Sequence, residues 1–204
     1  MTLDLFESLE LGPQKIVLPG AELFYWQNFY SPTEAQHWYE QLLASVQWQE
    51  RMIRMYGRDV KVPRLSAWYA DPGKEYTYSE ALHKPCVWTA ELNTLRQDLH
   101  VRTEAQFNSV LCNLYRDGQD SVAWHSDDEP ELGVEPVIAS LSFGETRSFQ
   151  MRRKDNHQQK YTLELISGSC LLMRGTTQAL WQHQIAKTNK ALGPRINLTF
   201  RLVS

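Results

Sequence analysis

Arg195-Ile196-Asn197-Leu198-Thr199-Phe200-Arg201 is the stretch of this 204-residue chain that decides its fold. Polar and apolar side chains alternate strictly along it. Neighbouring side chains of an extended chain point to opposite faces, so Arg195, Asn197, Thr199 and Arg201 share one face. On a solvent-facing strand this pattern is ordinary. If the polar face points into a barrel, the two arginines need anionic partners, because an unpaired buried guanidinium is costly.

The region upstream of this strand is almost wholly β-like from Phe107 onward. Short apolar or alternating runs are separated by turn residues at Asp117-Gly118, Gly144, Asp155-Asn156, Gly168 and Gly175. Many short strands with no helix between them predict an antiparallel sandwich or barrel and argue against a doubly wound sheet. We therefore expect a mainly β fold with flanking helices.

Two helices are predicted before this β region. Ser31 and Pro32 suit a helix start, and the apolar spacing that follows predicts a helix ending near Val46. Residues 85–103 fit a second helix, whose core-facing side carries Trp88, Leu92, Leu95 and Leu99. Between them, residues 47–79 alternate short β-like runs with turn residues, which favours a hairpin-rich lid.

A metal site is indicated where His125 and Asp127 lie two positions apart beside an acidic turn. Residues i and i+2 of an extended chain face the same side, so both side chains can reach one ion. A second histidine would complete the two-His, one-carboxylate set typical of non-haem iron. Six histidines and 24 acidic residues in 204 positions give roughly 0.7 such His-x-acid matches by chance. The alternative is an exposed histidine beside an acidic turn.

His183 is the best candidate for the third ligand, with a purely structural histidine as the alternative. It follows an apolar β run, in a loop rich in Thr and Trp, and precedes the last strand, where a barrel would bring it opposite His125. A dicarboxylate such as 2-oxoglutarate, which also chelates iron, would supply anions for Arg195 and Arg201, because forked guanidinium groups match carboxylates. Asn113 and Tyr115 would add donors from a neighbouring strand. For each of these residues the alternative is an ordinary polar position on a sheet.

The bulk composition fits one globular domain of ordinary makeup. Hydrophobic residues are 42% of the chain, charged residues 22%, and the net charge is −3. Cys86, Cys112 and Cys170 form no metal-binding cluster and are expected to be reduced thiols. The acidic start does not resemble a secretory signal, no apolar run reaches about 18 residues, and no basic nuclear-import run is present. We therefore expect a monomer in a bacterial cytosol, without membrane contact.

Six spaced elements together resemble the AlkB family of nucleic-acid dealkylating dioxygenases. They are N-L-Y (113–115), W-H-S-D-D-E (124–129), S-L-S-F-G (140–144), L-L-M-R-G (171–175), W-Q-H (181–183) and P-R-I-N-L-T-F-R (194–201). The chain looks most similar to the branch that acts on duplex DNA, through V-P-R (62–64), E-Y-T-Y-S (75–79) and H-x-D-D-E (125–129). The resemblance runs from about Val46 to Arg201.

The resemblance implies a double-stranded β-helix, or jelly-roll, core with an N-terminal nucleotide-recognition lid. Residues 1–104 would form the extension, helices and lid, and residues 105–204 the dioxygenase core, as one structural unit. It implies that His125, Asp127 and His183 bind Fe(II). It also implies a 2-oxoglutarate pocket, with Arg195 at the distal carboxylate, made of Asn113, Tyr115, Arg195, Asn197, Thr199 and Arg201.

The expected substrate is an N-alkylated base such as N1-methyladenine or N3-methylcytosine in DNA, single- or double-stranded, or in RNA. A base inside a duplex must be flipped out to reach buried iron. The residues expected to bind it are Tyr56, Arg64, Tyr76, Tyr78, Ser79, Asp128 and Glu129. Tyr78 would stack on the base, Glu129 would read its exocyclic amine, and Met55 with Tyr56 would fill the gap in the stack.

Two groups of cations would hold the phosphates of such a substrate. The first contains Arg51, Arg54, Arg58, Lys61 and Arg64. The second is Arg152-Arg153-Lys154. Three activities stay open: oxidative dealkylation of DNA, the same chemistry on RNA or another substrate, and non-catalytic binding of damaged DNA.

Overall fold

The computed structural model describes residues 12–55, 57–74, 76–78, 81–83 and 85–204, with the backbone alone described at 53–55, 76–78 and 81–83. Fourteen strands lie in these ranges: β1 (Gln14–Leu18), β2 (Ala21–Trp26), β3 (Gln49–Met55), β4 (Arg58–Ala70), β5 (Tyr76–Tyr78), β6 (Ala81–His83), β7 (Ser109–Tyr115), β8 (Val122–His125), β9 (Ile138–Gly144), β10 (Arg147–Arg153), β11 (Lys160–Leu165), β12 (Ser169–Arg174), β13 (Trp181–Ile185) and β14 (Arg195–Arg201). The helices described are α1 (Pro32–Ser45), α2 (Ala90–Thr103) and α3 (Thr177–Leu180), with one 3-10 turn at Pro130–Leu132.

The strands form two antiparallel sheets and a separate two-stranded ribbon. The larger sheet has the order β1-β2-β12-β9-β14-β7-β4-β3, and the smaller one has the order β11-β10-β13-β8. The ribbon is formed by β5 and β6. All strand pairs in the sheets and the ribbon are antiparallel. The predicted mainly β architecture with flanking helices is therefore confirmed.

Strand β14 lies at the centre of the larger sheet, hydrogen-bonded to β7 on one side and β9 on the other. Its apolar side chains Ile196, Leu198 and Phe200 are fully buried in a core shared with α1 and α2. Its polar side chains line a cavity on the opposite face, together with residues of the smaller sheet. The predicted division of β14 into two faces is confirmed, and the polar face points into the molecule.

Helix α1 begins and ends where the sequence predicts. The Ser31 hydroxyl accepts from the Glu34 backbone N–H, and the Glu34 carboxylate accepts in return from the Ser31 backbone N–H, which is a reciprocal capping box. The last residue is Ser45, and Val46 is the C-cap. This confirms the predicted helix from Pro32 to near Val46.

Helix α2 begins later than predicted. Thr89 caps it by accepting from the Leu92 backbone N–H, so the helix starts at Ala90 rather than at residue 85. Trp88 therefore precedes the helix, although its ring still stacks on Phe200 with a centroid distance of 6.3 Å. The start was wrong because a β-region cap, rather than apolar spacing, decides where a helix begins.

The β3–β4 hairpin extends from one edge of the larger sheet. The register shifts between Glu50 and Met52, which marks an irregularity in the pairing. Pro63 lies in β4 beside this shift, where its missing N–H costs no ladder bond, and its carbonyl accepts from Ser121. The residues of β4 beyond the shift, Arg64, Ser66 and Trp68, line the interior cavity. The role of this hairpin as a nucleotide-recognition lid stays a prediction.

Candidate metal centre and co-substrate pocket

Three candidate ligands converge between the two sheets. His125 ends β8, Asp127 follows two residues later, and His183 lies on β13 directly opposite His125 in the strand register. The ligand atoms of the three side chains lie within 4.8 Å of one another. Two imidazoles and one carboxylate at this spacing fit the set that binds non-haem iron and leaves open positions. The sequence placed His183 in a loop, which was wrong, because β13 is a strand held by β10 and β8.

The Asp127 carboxylate is buried and held by an arginine. It is 2% exposed, and Arg201 Nη2 donates to Oδ1 at 2.5 Å, while Oδ2 lies 3.9 Å from His183 Nε2. Burial alone would raise the pKa of Asp127, but the Arg201 guanidinium and the two histidines outweigh it and hold that pKa below its usual value. The carboxylate is therefore ionised, with Oδ2 turned to the histidines.

Both histidines can offer a nitrogen lone pair to the same point. Burial, helped by the neighbouring His125, lowers the pKa of His183 to about 3, so its ring is uncharged at neutral pH. The His125 Nδ1 lies 2.8 Å from the Ala123 carbonyl oxygen. A carbonyl only accepts, so Nδ1 carries a proton and Nε2 is the nitrogen left to face a cation. The hydrogen bond to Ala123 orients the His125 ring before any ion binds.

Arg195 lines the cavity, and two of its nitrogen donors are without a partner among the described residues. The residue is 1% exposed and faces Tyr115 across the β14–β7 pair. Nη2 donates to Ser142 Oγ at 2.9 Å, but Nε and Nη1 are buried without a hydrogen-bond partner among the described residues. Burial lowers the pKa of Arg195 to about 10, so the guanidinium stays charged at neutral pH. Unsatisfied donors on a charged guanidinium fit a carboxylate.

The remaining predicted co-substrate residues lie on the same inner face. Every predicted metal and co-substrate residue lines one cavity of about 90 Å³. Asn197 Nδ2 donates to Ser140 Oγ and the Leu141 carbonyl, and its Oδ1 accepts from Thr199. The side-chain amide of Asn197 is therefore already hydrogen-bonded within the larger sheet. The 2-oxoglutarate roles of this face, including that of Arg201, stay predictions.

Two of the predicted base-binding residues also line the cavity. Arg64 donates through Nε to Asn113 Oδ1 at 2.8 Å and through Nη1 to the Ser121 carbonyl. Glu129 Oε2 is buried with no hydrogen-bond partner among the described residues. Asp128 is exposed, outside the cavity lining, and paired with Lys154 Nζ at 2.9 Å. Thus Glu129, and not Asp128, offers an unsatisfied oxygen inside the site.

The other residues predicted to contact a base lie in the lid, at positions that are outside the described residues or have only their backbone described. Tyr56 and Ser79 lie outside the described residues, as do the side chains of Met55, Tyr76 and Tyr78. Their proposed contacts with a base stay predictions.

The two predicted cationic groups differ in their engagement. In the first, Arg64 is buried, Lys61 pairs with Glu50, Arg58 is exposed and the Arg54 side chain lies outside the described residues. In the second, Arg152 donates to Gln182 and lies 4.4 Å over the Trp124 ring, Arg153 pairs with Asp155, and Lys154 pairs with Asp128. Phosphates would have to replace these contacts at the second group.

Sequence reasoning missed Arg147, which lies against Tyr115, one of the residues that line the cavity. This arginine is 3% exposed and donates to the backbone carbonyls of Asp117, Asp120 and Ala186. Its guanidinium lies 5.5 Å from the Tyr115 ring centroid, and that of Arg195 lies 5.3 Å from it. No sequence signal marked it, because its partners lie 27 to 39 residues away.

The thiols of Cys112 and Cys170 are buried, and Cys86 is half-buried and also free.

The chain is similar in sequence to known proteins. The sequence model of the 2OG-Fe(II) oxygenase superfamily matches residues 22–201. The mouse "Alpha-ketoglutarate-dependent dioxygenase alkB homolog 3" is 44% identical over 185 residues, which cover 86% of this chain and 64% of that protein. The Arabidopsis thaliana "DNA oxidative demethylase ALKBH2" is 34% identical over 211 residues, which cover 90% of this chain and 67% of that protein. The chain thus spans less than two thirds of the mouse relative's length.

The fold is shared with a solved structure, that of OsALKBH1. It superposes with a TM-score of 0.64 at 15% identity, covering 93% of this chain and 99% of that one. The two sequence relatives come from a mammal and a plant, so they lend no support to the expected bacterial source. In the described part of the chain, no helix has the length and apolar character that a membrane span requires. The cytosolic location, the monomeric state and the likeness to a duplex-acting branch stay predictions.

Proposed function

Because this chain belongs to the AlkB family of the 2OG-Fe(II) oxygenase superfamily, we propose that it removes N-alkyl groups from nucleic-acid bases by oxidation. The observation that carries the proposal is one cavity lined by three elements. These are Nε and Nη1 of Arg195 and Oε2 of Glu129, which have no hydrogen-bond partner among the described residues, and the His125, Asp127 and His183 group. A co-substrate anchor, an iron site and a base reader are the three parts that such a reaction needs.

In this proposal the chain itself binds and orients the reactants. His125, Asp127 and His183 hold Fe(II), and Arg195 receives the distal carboxylate of 2-oxoglutarate. When bound, iron and 2-oxoglutarate supply the oxidation: one oxygen atom of O2 converts 2-oxoglutarate to succinate and CO2, and the other enters the N-alkyl carbon. The bond between the base nitrogen and the hydroxylated carbon would then break: its electron pair would return to the ring nitrogen, the carbon would leave as an aldehyde, and the hydroxyl proton would pass to solvent. Apolar side chains along the cavity, such as Phe149 and Met173, exclude water from this chemistry.

Arg201 has a different task from Arg195. Its guanidinium holds Asp127 Oδ1, so the ligand can offer its second oxygen, Oδ2, to the cation without turning. A fixed carboxylate binds a metal at lower entropic cost, since fewer rotamers are lost on binding. We therefore assign Arg201 first to the metal centre and only second to the co-substrate.

The Glu129 carboxylate favours binding of a positively charged base. N1-methyladenine and N3-methylcytosine carry a cationic ring and an exocyclic amine that donates hydrogen bonds. A partly buried carboxylate oxygen without a partner among the described residues attracts the ring charge and accepts from that amine. A neutral, undamaged base gains only the hydrogen bond. Glu129 therefore favours damaged over normal bases, and a base reaches it only when it is unstacked.

Product analysis on methylated oligonucleotides tests the proposal. Wild-type protein with Fe(II), ascorbate and 2-oxoglutarate should convert N1-methyladenine to adenine, and His125→Ala should not. Glu129→Gln keeps the shape and hydrogen bonding of the carboxylate but removes its charge, so it should slow turnover on methylated bases and leave metal binding unchanged. No repaired base from DNA or RNA, under conditions where 2-oxoglutarate is consumed, would sink the proposal.

The same assay decides which kind of nucleic acid the protein prefers as substrate. We propose DNA as the substrate, single- or double-stranded, with RNA as the competing candidate. Matched sequences of single-stranded DNA, duplex DNA and RNA should be compared by initial rate. A roughly tenfold preference for RNA, about 1.4 kcal/mol in transition-state stabilisation, would replace the DNA assignment without touching the chemistry.

A further inference from the structure

The backbone of Asp127 is fastened by a buried glutamine that no part of the proposed chemistry uses. Gln178 lies on α3 and is 1% exposed. Its Oε1 accepts from the Asp127 backbone N–H at 3.0 Å. The two residues are 51 positions apart, so this bond joins distant segments directly at a candidate metal ligand.

The same short segment that carries Gln178 also supplies a ligand and a second fastening. His183 follows Gln178 by five positions and lies opposite His125 in the strand register. The Trp181 backbone carbonyl accepts from Ser126 Oγ at 3.0 Å. Residues 178–183 therefore hold both Ser126 and Asp127 and carry His183. A shift of this segment would therefore move Asp127 and His183 relative to His125.

Both polar groups of Gln178 are used, which fixes its rotamer. Nε2 lies 3.4 Å from Met173 Sδ, and Oε1 accepts from Asp127. Both Asp127 and Gln178 are buried. Without Oε1 the Asp127 N–H would be left unsatisfied in the interior, which is unfavourable. The backbone at Ser126 and Asp127 would relieve this only by moving the ligand toward another acceptor or toward water.

We propose that Gln178 is a positioning residue that sets the affinity of the site for its metal. It holds the backbone of Asp127, whereas Arg201 holds the carboxylate, so the ligand is fixed at both ends before a cation arrives. The inference rests on the proposed ligand set of His125, Asp127 and His183. Loss of a group that orients a metal ligand typically weakens metal binding by roughly 10–100-fold.

Metal binding without nucleic acid or 2-oxoglutarate tests this role. Gln178→Met keeps the length of the side chain and removes the acceptor, and Gln178→Asn keeps the amide but withdraws it by one methylene. The matched control is Gln184→Met, since Gln184 donates to Gln150 on β10. The dissociation constant for Mn(II) is measured by electron paramagnetic resonance of the free ion, with the melting temperature of each variant recorded beside it.

Both Gln178 variants should bind Mn(II) at least about tenfold more weakly than wild type, and Gln184→Met should stay within about twofold. Wild-type affinity in a folded Gln178→Met or Gln178→Asn variant overturns the inference alone, even if that variant melts at a lower temperature. If wild type and His125→Ala bind Mn(II) equally, the proposed ligand set fails and the inference fails with it. The two failures are therefore distinguishable.

Discussion

Replacement of Arg195 by methionine should stabilise the protein without 2-oxoglutarate and abolish its response to that ligand. Nε and Nη1 of Arg195 are buried without a hydrogen-bond partner among the described residues, and each such donor costs about 1–3 kcal/mol. Methionine removes both donors and keeps an unbranched side chain. Against this stand the lost bond to Ser142 and the lost contact with Tyr115, worth about 1 kcal/mol each.

The net gain without ligand is about 0–4 kcal/mol, and each kcal/mol raises the melting temperature by about 2–4 °C in a chain of this size. Binding of 2-oxoglutarate should suffer in the opposite sense. Two hydrogen bonds from a charged donor to its distal carboxylate contribute about 3–6 kcal/mol together. Their loss weakens binding by about two to four orders of magnitude.

Thermal denaturation with Mn(II), with and without 2-oxoglutarate, reads both effects in one experiment. A ligand at about 100 times its dissociation constant stabilises wild type by about 2.7 kcal/mol, whereas Arg195→Met should show no such shift. Arg147→Met is the matched control. Arg147 lies against the same Tyr115 ring as Arg195, but its guanidinium donates to three backbone carbonyls. That variant should lose about 2–4 kcal/mol. A lower melting temperature for Arg195→Met, or a retained 2-oxoglutarate shift, would refute the reasoning.

Three further substitutions, with a second glycine as a control for one of them, test the frame that holds the site. Burial raises the pKa of Asp120, but hydrogen bonds and charges from neighbouring arginines outweigh burial and lower that pKa. The Asp120 carboxylate therefore stabilises the fold fully above its unfolded pKa of about 3.9. This stabilisation is lost as the pH falls through the lower pKa of the folded state. Asp120→Asn should therefore cost about 1–3 kcal/mol in urea unfolding at about pH 7, and less as the pH falls below about 4. Gly144→Ala places a Cβ 2.5 Å from the Pro194 carbonyl at a φ of +85° and should cost at least about 2 kcal/mol, whereas Gly133→Ala, with a φ of +72° and open space, should cost about 1 kcal/mol. Ser31→Ala removes a helix cap and should lower the free energy of unfolding by about 1 kcal/mol.

Local patterns predicted the elements whose causes are local. The capping pair Ser31 and Glu34 lies within one turn, so the sequence located α1 correctly. The alternation of β14 is also local, and it separated the faces of Arg195 and Ile196 without error. The start of α2 failed because Thr89, rather than the apolar spacing, caps the helix.

Contacts between distant segments could not be predicted in this way. His183 was placed in a loop, since its strand is five residues long and depends on pairing with β10 and β8. The partner of Arg201 is Asp127, 74 positions away, and the sequence assigned that arginine to a co-substrate only. Gln178 carried no signal for the same reason. The candidate site residues were predicted from residue type and resemblance, but the bonds between them could be seen only in the fold.

The central place of β14 also constrains how the protein is made. On a ribosome, β7 and β9 emerge well before the strand that must lie between them, and each then exposes an unpaired edge on the side where β14 will bind. The nascent chain therefore has to keep a gap open while the segment between Gly144 and Arg195 is still being translated. Premature termination before Arg195 would leave two half-sheets with unpaired edges. Quality-control proteases and chaperones, rather than loss of the active site alone, would decide the fate of such a fragment.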